Sequence, residues 1–226
     1  MPLPGTMLSV CCSSLGGYGL SGGYSVSSGT KVQSAFITLP TGAAIDLFQF
    51  ANSLTNNQVK RTAGAICAVD MAISLNTGLL YAIMGGYGYQ TAASSYLTST
   101  APASASAFII NFNANPITAT SYKLALPNGN GVITSVSVNA LGQAVLAGQI
   151  AGIPAAFSCN LTVASPSPTQ LSSGVLTGIF NSCKINSNQG LAVFVGKEGD
   201  TAVLYQRPSS GSFTKTVFST PVEGVF

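Results

Sequence analysis

The sequence has no histidine and no tryptophan, and its 226 residues include only 8 lysines and arginines and 5 aspartates and glutamates. Without an imidazole, a Ser-His-Asp triad, a Cys-His pair and a histidine-ligated metal site are all excluded. Charged residues make up 6% of the chain, whereas a soluble domain has about 25%. Hydroxyl and amide groups or neighbouring protein copies must therefore cover the surface. The composition argues against most enzyme classes and favours an assembly.

Long apolar runs and clustered basic residues are also missing. The longest apolar stretch, residues 78–89, is interrupted by glycines, and a membrane-spanning helix needs about 20 apolar residues. Residues 1–10 carry Pro2 and Pro4 and no basic residue, so no signal peptide is predicted. Lys60-Arg61 is the only adjacent basic pair, whereas nucleic-acid binders carry a basic stripe. The sequence therefore predicts neither a membrane nor a nucleic-acid partner.

The five cysteines do not have the spacing of a metal site. Cys11 and Cys12 are adjacent, which fits neither a zinc site nor a two-residue redox loop. Cys159 and Cys183 flank a loop rich in serine and proline and allow two interpretations, a disulfide or two buried thiols. We favour buried thiols for both and for Cys67, because free cysteine behaves as a small hydrophobe. No metal and no cofactor is predicted.

The residues that are abundant indicate β structure. The chain has 29 serines, 20 threonines and 25 glycines, and short apolar runs alternate with Gly and Pro turns at intervals of about 8–12 residues. This pattern is typical of an antiparallel β-sandwich, and we expect an all-β, jelly-roll-like fold. Residues 127–131, Pro-Asn-Gly-Asn-Gly, predict a hairpin between the strands on either side. A second hairpin is predicted to turn at residues 197–200.

Composition divides the chain into three predicted segments. Residues 1–30 are rich in Gly, Ser and Tyr without any charge and are expected to form an extended N-terminal arm that docks on a neighbouring subunit. Residues 31–118 are expected to form a β-sandwich domain, and residues 119–226 a second β domain or a continuation of the same sandwich. The tripeptide Gly-Gly-Tyr begins at residues 16, 22 and 85. Because this spacing is irregular, no internal repeat is predicted.

Tyrosines next to glycines are the candidate contact residues. A tyrosine ring offers a flat apolar face with a polar tip, which suits protein and sugar surfaces. Tyr18 and Tyr24 lie in the predicted arm and are candidate assembly contacts. Tyr87 and Tyr89 are candidates for a loop that contacts a receptor or ligand, such as a host surface glycan. Packing at the rim of the core is the alternative for all four.

The carboxylates are the only remaining catalytic candidates. Asp46 and Asp70 lie in strand-like stretches, and glycoside hydrolysis uses two carboxyl groups across one cleft. Carboxylates that accept backbone hydrogen bonds are the more common outcome. Glu198 and Asp200 flank Gly199 and are expected to be solvated turn residues, although their oxygens would suit calcium. The prediction is that the chain is not an enzyme.

Residues 57–112 have a distinctive order of predicted strands and turns. A strand from Val59 ends at Asp70, and two strands around glycines follow. The element Gly88-Tyr89-Gln90 and a strand that closes in Asn111-Phe112 complete the pattern. This pattern resembles small virion proteins of tailed bacteriophages, although the loop after Tyr89 has fewer prolines than such proteins have. The resemblance implies a β-rich, symmetric component of a capsid decoration, head fibre, tail adaptor or tail fibre.

Three functions are therefore expected, in this order. The first is a structural protein located in the virion, whose partners are further copies of itself and other virion proteins. The second is a receptor- or carbohydrate-binding β-sandwich module that uses Tyr87 and Tyr89. The third is a carboxylate-dependent polysaccharide hydrolase that uses Asp46 and Asp70.

Overall fold

A computed structural model describes residues 5–14, 16–27, 29–49, 59–60, 62–74, 76–89, 103–112, 117–124, 130–173, 176–187, 190–208 and 212–218. These residues form 18 β-strands and no helix, so none of them belongs to a helix that could cross a membrane. The all-β, antiparallel class predicted from the sequence is confirmed, with four four-stranded antiparallel sheets. A short parallel pair accompanies them.

Each sheet is a meander in which strands that follow one another in the chain are paired. Sheet 1 contains β1 Gly5–Cys12, β2 Gly19–Ser27, β3 Thr30–Thr38 and β4 Ala44–Asp46. Sheet 2 contains β7 Gly64–Ile73, β8 Leu80–Tyr89, β9 Ala103–Asn111 and β10 Thr118–Lys123. The parallel pair is β5 Phe48–Gln49 and β6 Val59–Lys60. This strand order differs from the Greek-key order of a jelly roll.

The second half of the chain repeats the arrangement. Sheet 3 contains β11 Gly131–Val138, β12 Gln143–Ile150, β13 Ile153–Asn160 and β14 Thr169–Ser173. Sheet 4 contains β15 Gly178–Ile185, β16 Ala192–Glu198, β17 Thr201–Arg207 and β18 Thr214–Val217. The four sheets pack face to face in chain order, and a separate apolar core lies between each sheet and the next. The sheets are therefore structural repeats, which the irregular spacing of the sequence had hidden.

A bulge and a glycine mark the same place in every sheet. The first strand begins with a glycine, and its register with the second strand shifts three residues later, at Leu8, Cys67, Thr134 and Asn181. A glycine of the second strand lies opposite each shift: Gly23, Gly86, Gly148 and Gly196. A Cβ atom there would lie 2.0 or 2.1 Å from a backbone oxygen of the first strand. Only glycine fits this approach.

The residues predicted as an extended arm form half of sheet 1. β1 and β2 pair with each other, and β2 pairs with β3 along its whole length. Gly5 and Gly23 let the backbones of β1 and β2 come close, since a Cβ atom on Gly5 would lie 2.3 Å from the Tyr24 oxygen and one on Gly23 would lie 2.0 Å from the Thr6 oxygen. Of the Gly-Gly-Tyr tripeptides, those beginning at Gly22 and Gly85 occupy equivalent positions in sheets 1 and 2.

Of the two predicted hairpins, one is confirmed and one is wrong. β16 and β17 pair and turn at Gly199, whose φ is 58°. The strands on either side of residues 127–131 do not pair, because β10 is the last strand of sheet 2 and β11 the first of sheet 3. Residues 125–129 lie outside the described residues. The predicted domain boundary at 118 coincides with the start of β10, which pairs with β9.

Candidate assembly surfaces

The sheets interlock through the first strand of each sheet. We call the face toward the preceding sheet the leading face and the face toward the following sheet the trailing face. Three side chains on each of β7, β11 and β15 fill equivalent leading-face positions and are buried against the preceding sheet. They are Ile66, Val69 and Met71; Ile133, Val136 and Val138; and Phe180, Cys183 and Ile185. We call the interface between two consecutive sheets a joint, and these residues are the side chains that project into it.

Small residues on the preceding trailing face receive those side chains. A Cβ atom on Gly22 would lie 2.4 Å from Ile66 Cγ2, and one on Gly85 would lie 2.3 Å from Ile133 Cγ2. Ala147 occupies the equivalent position in sheet 3 and packs in the same cluster as Phe180. The equivalent third-strand residues are Ala35, Ala107 and Ala156, all fully buried. Each joint is thus an apolar side chain set into a hollow.

Hydrogen bonds fix the register of the joints. The Val69 backbone N–H donates to Ser9 Oγ at 3.2 Å, and the Cys183 N–H donates to Ser135 Oγ at 3.1 Å. Two residues further on, the Val138 N–H donates to Asp70 Oδ2 at 2.8 Å and the Ile185 N–H to Ser137 Oγ at 3.3 Å. Edge amides of one first strand are therefore satisfied by side chains of the preceding one.

The leading face of sheet 1 is exposed. Its equivalents of Ile66, Val69 and Met71 are Met7, Val10 and Cys12, of which Met7 is 46% and Val10 is 72% exposed. The neighbouring Leu8 is 48% exposed. A contiguous patch of exposed apolar side chains often marks an interaction site. These residues lie in the segment that the sequence assigned to assembly, although in a strand and not in a free arm.

The trailing face of sheet 4 is also open in the described part of the chain. Val193, Val195 and Leu204 lie on it and are half-buried. Ser182, Lys184 and Lys197 are exposed beside them. Val195 and Leu204 take the places that glycine or alanine occupies in the other sheets, so this face is flatter than the internal hollows.

The two tyrosines predicted as assembly contacts have partners within their own chain. Tyr18 is half-buried and packs edge-on against Phe112, with ring centroids 5.7 Å apart. Tyr24 is half-buried in β2, and Lys31 Nζ lies 4.5 Å from its ring centroid. A hydrogen bond with Thr6, followed by the charge of Lys31, lowers the pKa of Tyr24. Intersubunit roles for both remain predictions.

Tyr87 and Tyr89 lie in strand β8, not in a loop. The Gly85-Gly86 pair is part of the same strand, and Gly85 leaves the space that Ile133 occupies. The Tyr87 carbonyl accepts a hydrogen bond from Gln33 Nε2 at 2.9 Å, which joins sheets 1 and 2. Their role in ligand binding remains a prediction.

Asp46 and Asp70 bond to different backbone groups. Asp46 Oδ1 accepts from the N–H of Phe48, two residues further along the chain, at 2.9 Å. Asp70 accepts from the Met71 N–H at 3.0 Å as well as from Val138, and Lys184 Nζ lies 4.0 Å from it. Both carboxylates therefore hold elements of the fold in place.

Glu198 is not the solvated turn residue that the sequence predicted. Its side chain is 1% exposed, and its carboxylate accepts hydrogen bonds from the Tyr205 hydroxyl at 3.1 Å and from Lys215 Nζ. Desolvation raises the pKa of Tyr205, and the bond to Glu198 raises that of Lys215. The described residues contain no cluster of three or more candidate metal ligands.

The cysteines of the described structure are free thiols. Cys159 and Cys183 are buried in different cores, as the buried-thiol interpretation predicted, while Cys67 is half-buried at its bulge. Burial raises the pKa of Cys159 and of Cys67 to about 11 and that of Cys183 to about 12. Raised pKa values keep these thiols protonated and unreactive.

A groove that the sequence did not reveal runs between sheet 2 and the connection from β13 to β14. It has a volume of about 520 Å³. Tyr81, Phe112 and Tyr122 contribute rings, and Thr120 and Thr162 contribute hydroxyl groups. No sequence signal marks it, because its walls are far apart in the chain.

Comparison with known proteins does not assign a family. No family model matches the sequence, and no curated protein matches it. Among solved structures, the chain is similar to Sqt1 of Chaetomium thermophilum at 11% identity and a TM-score of 0.30. The match covers 90% of this chain and 70% of Sqt1. A similarity at this level carries no argument about fold or function.

Proposed function

We propose that this protein is a non-enzymatic structural component of a bacteriophage particle that assembles symmetrically through apolar surfaces. The observation that carries the proposal is the exposed leading face of sheet 1, with Val10 72% and Met7 46% exposed. Exposing such groups in an isolated chain costs free energy, which burial in an assembly recovers. The face belongs to residues 1–30, the segment with the composition of an assembly element.

The use of charge supports a structural role. Asp46 and Asp70 bond to backbone amides, and Glu198 anchors β18 through Lys215. A chain with 6% charged residues avoids the cost of burying unpaired charge when copies pack together. The resemblance to small virion proteins supplies the specific location, a virus particle.

The test is whether the protein is part of purified particles. Particles from the producing culture are banded by density, washed in high salt and analysed by quantitative mass spectrometry and immunogold labelling. We expect the chain at a constant copy number per particle and gold at one repeated position. Its recovery only from the soluble lysate, with none in the washed particles, would rule out the proposal.

A second candidate function is glycan binding by the groove beside Tyr81 and Tyr122. Aromatic faces next to hydroxyl groups are the surfaces that sugars contact, and these walls provide both. We expect Tyr122→Ala to abolish binding on a glycan array and Tyr24→Ala, which lies in sheet 1 outside the groove walls, to retain it. Folding of both variants is checked by circular dichroism. An array without signal for the wild-type chain would exclude this function.

A further inference from the structure

The two ends of the stack carry opposite halves of the joint that links its sheets. In three sheets, the leading-face residues of the first strand are buried against the preceding sheet. In sheet 1 the same positions hold Met7, Val10 and Cys12, with no preceding sheet among the described residues. Sheet 4 correspondingly has a trailing face, Val193, Val195 and Leu204, with no following sheet there. The end surfaces thus continue an interface that the chain already forms three times.

The polar part of the joint is also incomplete at each end. Ser182 is the residue of sheet 4 that is equivalent to Ser9 and Ser135. Each of those two serines accepts a hydrogen bond from a backbone N–H in the first strand of the following sheet. Ser182 is exposed. The donor that would match it is the backbone N–H of Val10, which is equivalent to Val69 and Cys183. The acceptor and the donor are at opposite ends of the same molecule.

The stack curves with its first strands on the inside. Asp70 of sheet 2 and Lys184 of sheet 4 come within 4.0 Å, although sheet 3 separates their sheets. The charge of Asp70 also raises the pKa of Cys11 in sheet 1, after burial. Meander sheets arranged around an axis are the blades of a β-propeller, which closes with about four to eight blades. Two copies of this chain would supply eight.

We propose that a second copy of this chain docks head to tail, with the leading face of sheet 1 of each copy on the trailing face of sheet 4 of the other. This deepens the proposed function, on whose self-assembly it rests, by naming the surfaces and the partner. Met7 and Val10 then lie over Val195, as Ile66 and Val69 lie over Gly22. Methionine is unbranched and adaptable, which suits the flatter face formed by Val195 and Leu204. A head-to-tail contact that closes gives a ring.

The first experiment is a crosslink between copies. Two differently tagged full-length chains are prepared in a Cys12→Ser background, one with Val10→Cys and the other with Val195→Cys. After mixing and mild oxidation, we expect a disulfide-linked heterodimer of the two tags. The matched control replaces Val195→Cys by Val163→Cys, a valine that lies outside both faces and is 48% exposed. No crosslink above this control would overturn the proposal.

The second experiment uses charge at the same position. Lys184 and Lys197 are exposed beside the trailing face, so Val10→Lys brings like charges together whereas Val10→Glu brings opposite charges together. By light scattering we expect the wild-type mass to be twice the 22.8 kDa of one chain. Val10→Lys should raise the dissociation constant by more than about tenfold, and Val10→Glu should raise it less. Leu141→Lys, elsewhere on the surface, is the control.

The outcomes separate this inference from the proposed function. A wild-type chain that is monomeric at every soluble concentration, or an oligomer indifferent to Val10→Lys, overturns head-to-tail docking even if washed particles contain the protein. A Val10–Val195 crosslink together with the expected charge effect supports docking even if no particle contains the protein.

Discussion

Glycines opposite the bulges are the residues on which each sheet depends most directly. A Cβ atom on Gly86 would lie 2.1 Å from the Ala65 carbonyl oxygen. That oxygen belongs to the backbone, so relief requires a shift of the strand. The fold therefore requires glycine at these four equivalent positions, whereas the side chains around them differ from sheet to sheet.

We expect Gly86→Ala to lower the free energy of unfolding by about 1–3 kcal/mol, because the added methyl group overpacks the strand pair. The measurement is the denaturant midpoint. The matched control is Gly19→Ala. Gly19 also lies in the second strand of its sheet, but a new Cβ atom there would lie at an ordinary distance of 3.5 Å from Thr38 Cβ. Equal midpoints for the two variants would contradict this explanation.

Single residues also show the limits of sequence analysis. The buried state of Cys159 and Cys183 was predictable because thiols behave as small hydrophobes. The burial of Glu198 was not, since its partner Lys215 lies on a strand outside the hairpin. Tyr81 and Tyr122 gave no signal as groove residues, because the groove forms only where sheet 2 meets the β13–β14 connection.

At the scale of elements, side chains in the first strand of one sheet accept hydrogen bonds from the backbone of the first strand of the following sheet. Replacing Ser135 and Ser137 by alanine leaves the amides of Cys183 and Ile185 without their partners. We expect each substitution to cost about 1–3 kcal/mol, the penalty for an unsatisfied buried group. Hydrogen exchange should accelerate first at these two amides of β15.

The matched control for the serine substitutions is Ser182→Ala, which changes the same position in sheet 4. Ser182 is exposed and has no following sheet among the described residues. Measured in the Val10→Lys background, this variant should unfold like its parent. Uniform exchange of β15 in the Ser135 and Ser137 variants would show that these bonds do not hold the sheets together.

The anchor of β18 is the second prediction for an element. Lys215→Met leaves the carboxylate of Glu198 buried without its cation, which costs about 3–5 kcal/mol for a fully buried pair. We expect the lower end of that range, because the Lys215 side chain is 34% exposed. Lys197→Met, at an exposed position on β16, is the control. A double variant with Glu198→Gln should recover part of the loss, and full stability of Lys215→Met alone would refute the anchor.

The two hairpin predictions explain which elements a sequence reveals. Residues 197–200 turn between strands that pair with each other, so local turn chemistry and sheet pairing agree. Residues 127–131 carry the stronger turn signal, but β10 completes sheet 2 and β11 begins sheet 3. Turn residues report a change of direction. Whether the strands on either side pair depends on packing that local sequence does not encode.

At the scale of the whole molecule, the titration of buried thiols should make stability depend on pH under alkaline conditions. The chain has no histidine, so no unperturbed side chain changes charge between about pH 5 and 8. Burial raises the pKa of Cys183 from 9.0 to about 12 and that of Cys159 to about 11. A raised pKa in the folded state means that the stabilisation is complete below pH 9 and is lost as pH rises through about 11 to 12.

The measurement is the denaturant midpoint against pH. We expect a plateau through neutral pH and a decline above pH 9, the ordinary thiol pKa. Cys183→Val removes one buried thiol and should make the alkaline decline shallower, whereas Cys12→Ser, at an exposed position, should not. A decline that begins near neutral pH would contradict the assignment to thiols.

The all-β class of the molecule was predictable from short apolar runs and turn residues, but its internal repetition was not. The leading glycines Gly5, Gly64, Gly131 and Gly178 are unequally spaced because the connections between strands differ in length. Third-strand tripeptides such as Ser34-Ala35-Phe36 and Ser106-Ala107-Phe108 are nevertheless equivalent. The equivalent residues are recognised only when the sheets are compared by strand register and not by sequence position.

Packing of each sheet against its chain neighbours has a consequence for how the molecule resists force. In such quasi-one-dimensional arrays, stability is approximately the sum of each unit and its nearest-neighbour interfaces. Among the described residues, the interior sheets 2 and 3 have two interfaces each, whereas the outer sheets have one each. A second copy that closed the stack into a ring would give every sheet two neighbours. No sheet would then have a free face at which unfolding under force could begin.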